Sequence, residues 1–167
     1  GKHQVRLLGS GTILREVEAA AEMLADFGVD ASVYSATSFN ELRRDGQSCA
    51  RYNMLHPTTK TPRVSHVEAL LGGSDAPVVA ATDHMQLYSE QIRPFLGKTT
   101  YVTLGTDGFG RSDSRKKLRE HFEVDRRFVT IAALSALAKD GKVTAKVVAD
   151  AIKTFGIDPD RLDPVAL

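Results

Sequence analysis

Residues whose types could do chemistry concentrate in Leu104-Gly105-Thr106-Asp107-Gly108-Phe109-Gly110-Arg111-Ser112-Asp113-Ser114-Arg115, which follows an apolar run and opens a basic helical segment. Closely spaced glycines let backbone N–H groups approach an anion, and Ser112, Asp113 or Ser114 could cap a helix whose positive end faces the same place. Gly108, Gly110, Arg111, Ser112, Asp113 and Arg115 are therefore candidate anion or interface contacts, as are Gly9, Ser10 and Gly11 in a second glycine turn. A tight strand-to-helix connection asks for the same residue types, so both readings stay open.

No complete catalytic set accompanies these turns. Gly9-Ser10-Gly11 follows a strand, but the third position of a dinucleotide fingerprint is Leu14, and Asp30 precedes the second strand instead of ending it. Ser112 and Ser10 lack the Gly-x-Ser-x-Gly spacing of a nucleophile elbow. His3, His56, His66, His84 and His121 form no short-spaced ligand pair with one another or with Cys49. Asp83-His84 is a local acid–imidazole pair at a strand end, where capping is the simpler role. Arg51 beside Cys49 could lower the thiol pKa slightly. The basic residues Arg111, Arg115, Lys116, Lys117 and Arg119 could hold a phosphate or an acidic surface, or be a solvated face balanced by Glu120, Glu123 and Asp125. No catalytic, cofactor-binding or metal-binding residue is assigned.

The elements that must position these groups alternate. Strands are expected at Gln4 to Leu8, Ala31 to Ala36, Pro77 to Ala81 and Tyr101 to Gly105. Between them a helical pattern runs from Thr12 to Phe27, with Gly28 as its left-handed cap. Ser38 and Glu41 have capping-box spacing for a second helix that should stop at Asp45-Gly46, leaving Gln47 to Pro62 irregular. A short amphipathic piece covers Val64 to Leu71. Asp83 is placed to cap a helix carrying Met85, Tyr88 and Ile92. Three further helices are expected at Ser114 to Phe122, Arg126 to Lys139 and Ala145 to Phe155. This alternation argues for a three-layer α/β/α domain with a mostly parallel sheet, in strand order 2-1-3-4, formed by residues 1–167 as one domain.

Composition is compatible with that reading. The 167 residues carry 22 Lys and Arg against 21 Asp and Glu, a formal charge of +1, so no global field marks a nucleic-acid binder. One cysteine excludes an internal disulfide framework and suits a reducing compartment. No apolar run approaches the ~20 residues of a membrane span. The chain begins without methionine and enters a strand almost at once, and is expected to be a fragment of a longer, cytoplasmic protein.

A family resemblance accompanies this reading. Leu7-Leu8-Gly9-Ser10-Gly11, Val33-Tyr34-Ser35-Ala36-Thr37-Ser38-Phe39, Leu42-Arg43-Arg44-Asp45-Gly46, Asn53-Met54-Leu55-His56-Pro57 and Leu104 to Arg115 resemble, in order, the C-terminal domain of the homodimeric bacterial pyruvate dehydrogenases. The likeness implies a transketolase C-terminal-like fold, usually with one added antiparallel strand that has no obvious counterpart here. It also implies a parent enzyme that decarboxylates pyruvate on thiamine diphosphate with magnesium and passes the acetyl unit to a lipoyl group of the acetyltransferase core. The family's cofactor, magnesium and catalytic residues belong to the domains before this one, so none carries over to positions here. The implied role is scaffold and subunit contact with the preceding domains and a second subunit. An alternative role is a regulatory module binding an anion or nucleotide at the Gly9–Gly11 and Gly105–Gly110 turns.

Overall fold

The computed structural model describes residues 1–166, so that Leu167, the last residue of the tail, lies outside the described residues. Four parallel strands, β1 (His3–Gly9), β2 (Val29–Ser35), β3 (Val78–Ala81) and β4 (Tyr101–Leu104), lie in the order β2-β1-β3-β4, as the alternation of elements predicts. Among the described residues the sheet has no antiparallel member.

Alternation along the central strands divides the core into two layers. Val5 and Leu7 of β1 and Val79 and Ala81 of β3 point to one face, where α1 (Leu14–Ala25), α6 (Arg126–Lys139) and α7 (Ala145–Thr154) cover them. Leu8, Val78 and Ala80 point to the other, against residues of α2 (Phe39–Leu55) and α3 (His66–Leu71) and the segment that follows α4 (Gln86–Glu90). The periodicity of α1 places Val17, Ala20 and Leu24 inward, and α6 contributes Val129, Ala133, Leu134 and Leu137.

The second helix departs from expectation. Instead of ending at Asp45-Gly46, α2 continues to Leu55, so most of the stretch expected to be irregular is helical. Gly46 sits inside the helix because the ring of Phe95 occupies the place where a Cβ would stand. Its glycine therefore records a close approach and not a stop. Ser38 does begin the helix, its Oγ accepting from the Glu41 N–H at 3.2 Å, and Ser65 forms a full capping box with Glu68 at the head of α3.

Two buried charges tie distant segments together. Arg6, in the apolar run of β1, donates to the carbonyls of Leu71, Ser74 and Ala76, holding the chain that returns from α3 to β3. Burial lowers the guanidinium's pKa, opposed by Tyr34 and Asp75. Glu16, on the inner side of α1, accepts from Arg119 of α5 (Arg115–His121) at 2.9 Å and from the Nε of Arg126 of α6 at 3.0 Å. Burial pushes its carboxyl up, but hydrogen bonds from Arg126 and the charges of Arg126 and Arg119 outweigh that effect and hold it below its usual range.

Gly46→Leu should cost about 2 kcal/mol of unfolding free energy in denaturant titrations, through overpacking against Phe95. In a Phe95→Ala background, Gly46→Ala should instead gain up to about 1 kcal/mol of helix propensity. Glu16→Gln should cost about 2 kcal/mol at neutral pH, the half-exposure of Arg126 moderating the loss. Because the folded-state pKa of Glu16 is depressed, its contribution is complete above the ordinary carboxylate range. It is lost as pH falls through the depressed value, so the gap between wild type and variant should close in acid.

Candidate interaction site at the carboxyl edge of the sheet

The chain leaves β1 toward α1 on one face and leaves the adjacent β3 toward α4 on the other, so the crevice of an open α/β sheet opens between their ends. Here it is closed by its own polar groups. Ser10 Oγ and Thr82 Oγ1 share a buried hydrogen bond of 2.8 Å, and the His84 N–H donates to Thr82 Oγ1 at 3.2 Å. Gly9 lies buried beneath Leu14. At Gly11 the nearest group to a hypothetical Cβ is the Asp83 carboxylate at 3.2 Å, and Thr12 donates to the same carboxylate at 3.4 Å. A carboxylate beside the start of α1 repels the anion that a glycine cradle would hold.

The 105–114 loop is stitched to the chain after β3. The Thr106 N–H donates to His84 O at 2.9 Å and the Thr106 hydroxyl to Asp83 O at 2.7 Å. Asp107, not Asp83, serves the head of α4, its Oδ2 accepting from the Gln86 N–H at 3.1 Å. Asp83 misses that role because it faces Gly11 and Thr12. Gly108 takes φ 97°, and a Cβ there would stand 2.7 Å from Pro164 O, so the loop lies directly under the C-terminal tail. Ser114, of the three capping candidates, accepts from the Lys117 N–H at 3.4 Å, while Asp113 accepts from the Ser114 N–H at 2.6 Å.

The two glycine turns thus share one edge. Thr12, Asp83, Gly108, Gly110, Arg111 and Arg115 line a groove of about 360 Å³, whereas Ser112 and Asp113 stay outside it on the surface. The basic run divides. Arg119 turns inward to Glu16, and no carboxylate among the described residues lies within salt-bridge distance of Arg111, Arg115, Lys116 or Lys117. The acids expected to balance them pair elsewhere, Glu120 and Asp125 with Arg127 and Glu123 with Arg161.

Other candidates resolve simply. Asp83 Oδ1 and His84 Nε2 stand 3.9 Å apart on the surface. Burial raises the Cys49 thiol pKa, reinforced by Asp45 and Glu68; Arg63 and not Arg51 is the cation that opposes it. What the residue pattern did not mark as exposed is apolar. Met85, Leu87 and Tyr88 around α4, Phe109 in the loop and Val165 in the tail are exposed, Phe109 at 79%. The apolar pattern groups Met85 and Tyr88 with Ile92 on one helix, but only Ile92 is buried, and the hydrogen bonds joining the segments reveal Met85, Tyr88 and Phe109 as belonging to one edge.

Thiamine diphosphate with magnesium does not fit these residues. No group of three His, Cys, Asp or Glu among the described residues could hold a metal ion, and the glycine turn nearest the crevice faces Asp83. No helix among the described residues is long and apolar enough to cross a membrane.

Comparison with known proteins agrees with this architecture. The chain is 60% identical over 164 residues to the pyruvate dehydrogenase E1 component of Pseudomonas aeruginosa, an alignment covering 98% of this chain and 18% of that protein. The Escherichia coli K12 protein of the same name is 57% identical over 164 residues, and that of Haemophilus influenzae 57% over 166, again across 18% of their lengths. The chain therefore spans about a fifth of the curated relatives it matches. Among solved structures, a "Split gene transketolase, inactive beta4 tetramer" superposes with a TM-score of 0.53 at 17% identity, covering 83% of this chain and 40% of that one, which supports the fold alone. Residues 1–125 match the family described as "Transketolase-like TK C-terminal domain", and with this sheet order and these layers the chain belongs to that family.

Proposed function

We propose that this chain is the non-catalytic C-terminal domain of a pyruvate dehydrogenase of the E1 type, residues 1–167 forming one folding unit of a longer polypeptide. The observation that carries the reading is the 60% identity to an E1 component across 98% of the chain. The parent enzyme decarboxylates pyruvate and transfers the acetyl unit to the lipoyl group of an acetyltransferase core. Its residues outside this chain hold thiamine diphosphate and magnesium, and it works as a homodimer in the cytoplasm.

Within that enzyme the chain supplies scaffold and contact surface. The polar groups at the crevice between β1 and β3 are engaged with one another, which favours a structural role over one that must present unpaired donors to a reacting group. Of the candidate positions, Gly108, Gly110, Arg111 and Arg115 line the exposed groove and act as contacts; Gly9, Ser10 and Gly11 shape the turn behind them, and Ser112 and Asp113 lead into α5.

A chimera tests the reading. When this sequence replaces the homologous segment of the Pseudomonas aeruginosa E1 component, the enzyme should retain pyruvate decarboxylation and lipoyl acetylation, while the 167-residue chain alone should do neither. Turnover by the isolated chain, or a folded chimera without activity, would overturn the assignment.

A further inference from the structure

Five large apolar side chains sit in water on three segments that the structure fastens together. Met85, Leu87 and Tyr88 flank or belong to α4, Phe109 is in the loop after β4, and Val165 is in the tail. Gln86 is bound to Asp107, Thr106 to His84, and Gly108 lies against Pro164 and Val165. Their backbones are therefore neighbours at one edge of the sheet. Leu87 is 66% and Val165 56% exposed; other exposed apolar side chains, such as Met54, Leu55, Val64 and Leu70, lie in or near α2 and α3 and carry no such link to the groove. Apolar exposure gathered on segments bonded to one another beside a cationic groove is the composition of an interaction surface.

We propose that this carboxyl edge docks against the upstream part of the same longer polypeptide, through a surface with an apolar centre and acidic groups opposite Arg111 and Arg115. The inference rests on the function proposed above and deepens it by naming the surface and its occupant. The matched relatives extend far beyond the 18% that this chain spans, and its family is a C-terminal domain, so upstream polypeptide is there to cover the edge. Charge selects the partner. Arg111 and Arg115 line the groove beside Phe109, and no carboxylate among the described residues lies within salt-bridge distance of either. A two-fold contact with a second copy of this edge would set the arginines and Lys116 and Lys117 near their own equivalents, a like-charge arrangement. A free anion would meet Asp83 in the same groove.

Amide hydrogen exchange on the full-length chimera tests this. Segments 83–90 and 105–112 should exchange about tenfold or more slowly in the chimera than in the isolated 167-residue chain. Leu87→Glu with Phe109→Glu should abolish that difference while leaving the melting temperature of the isolated chain unchanged, because both side chains are already exposed. Equal exchange rates in an active chimera would overturn the docking surface and leave the proposed function standing. An inactive chimera with the segments protected would overturn the function and leave the surface. Protection lost on dilution to separate subunits would assign the edge to a partner subunit, and protection of the isolated chain by inorganic phosphate would assign it to an anion; either result overturns the proposal.

Discussion

A strand covered on both faces has no water to satisfy its backbone, so both of its edges must be paired. The strand β1, buried from Val5 through Gly9, meets that constraint with β2 on one side and β3 on the other. Parallel neighbours on both sides force crossovers over both faces, which in turn divide the apolar residues into two layers. The same constraint brings the ends of β1 and β3 side by side. The junction of Ser10, Thr82 and Asp83 is thus a product of topology before it is a product of chemistry.

That junction shows how an open α/β sheet can pair its own polar groups at the place where such sheets bind ligands. The crevice of an open sheet binds a ligand when its donors face outward unpaired. In this chain the hydroxyls face each other, a carboxylate occupies the head of the first crossover, and the loop after β4 bonds back onto the loop after β3. What stays exposed at this edge is the set of apolar and cationic side chains on its rim.

Much of the fold was legible because periodic patterns report local geometry. The four strands, their order and the helices α1, α6 and α7 follow from apolar spacing, Ser38 caps α2 as its spacing predicts, and Ser114 is the one of three candidates that caps α5. Long-range contacts escaped. Gly46 reads as a helix stop unless Phe95 is known to press against it, and Asp107 reads as a loop residue unless Gln86 is known to lie opposite. Nothing local singles out Glu16 among the polar positions of the first helix, because its partners lie more than a hundred positions away. At the carboxyl edge the strand order predicted from the sequence brings the two glycine turns to one side, whereas the exposure of Met85 and Tyr88 runs against their helical pattern.

The placement of α6 bears on how the chain acquires its structure. The family match ends at residue 125, yet the next helix seals one face of the sheet, lying across β3 and β4 and packing along α1. During synthesis the four strands therefore leave the ribosome before α6 and α7 complete the layer that α1 begins. Until α6 emerges and Arg126 reaches Glu16, the nascent sheet carries an open apolar flank, the condition in which chaperones engage a polypeptide. The boundary of the family model and the boundary of the buried core fall at different points along this chain.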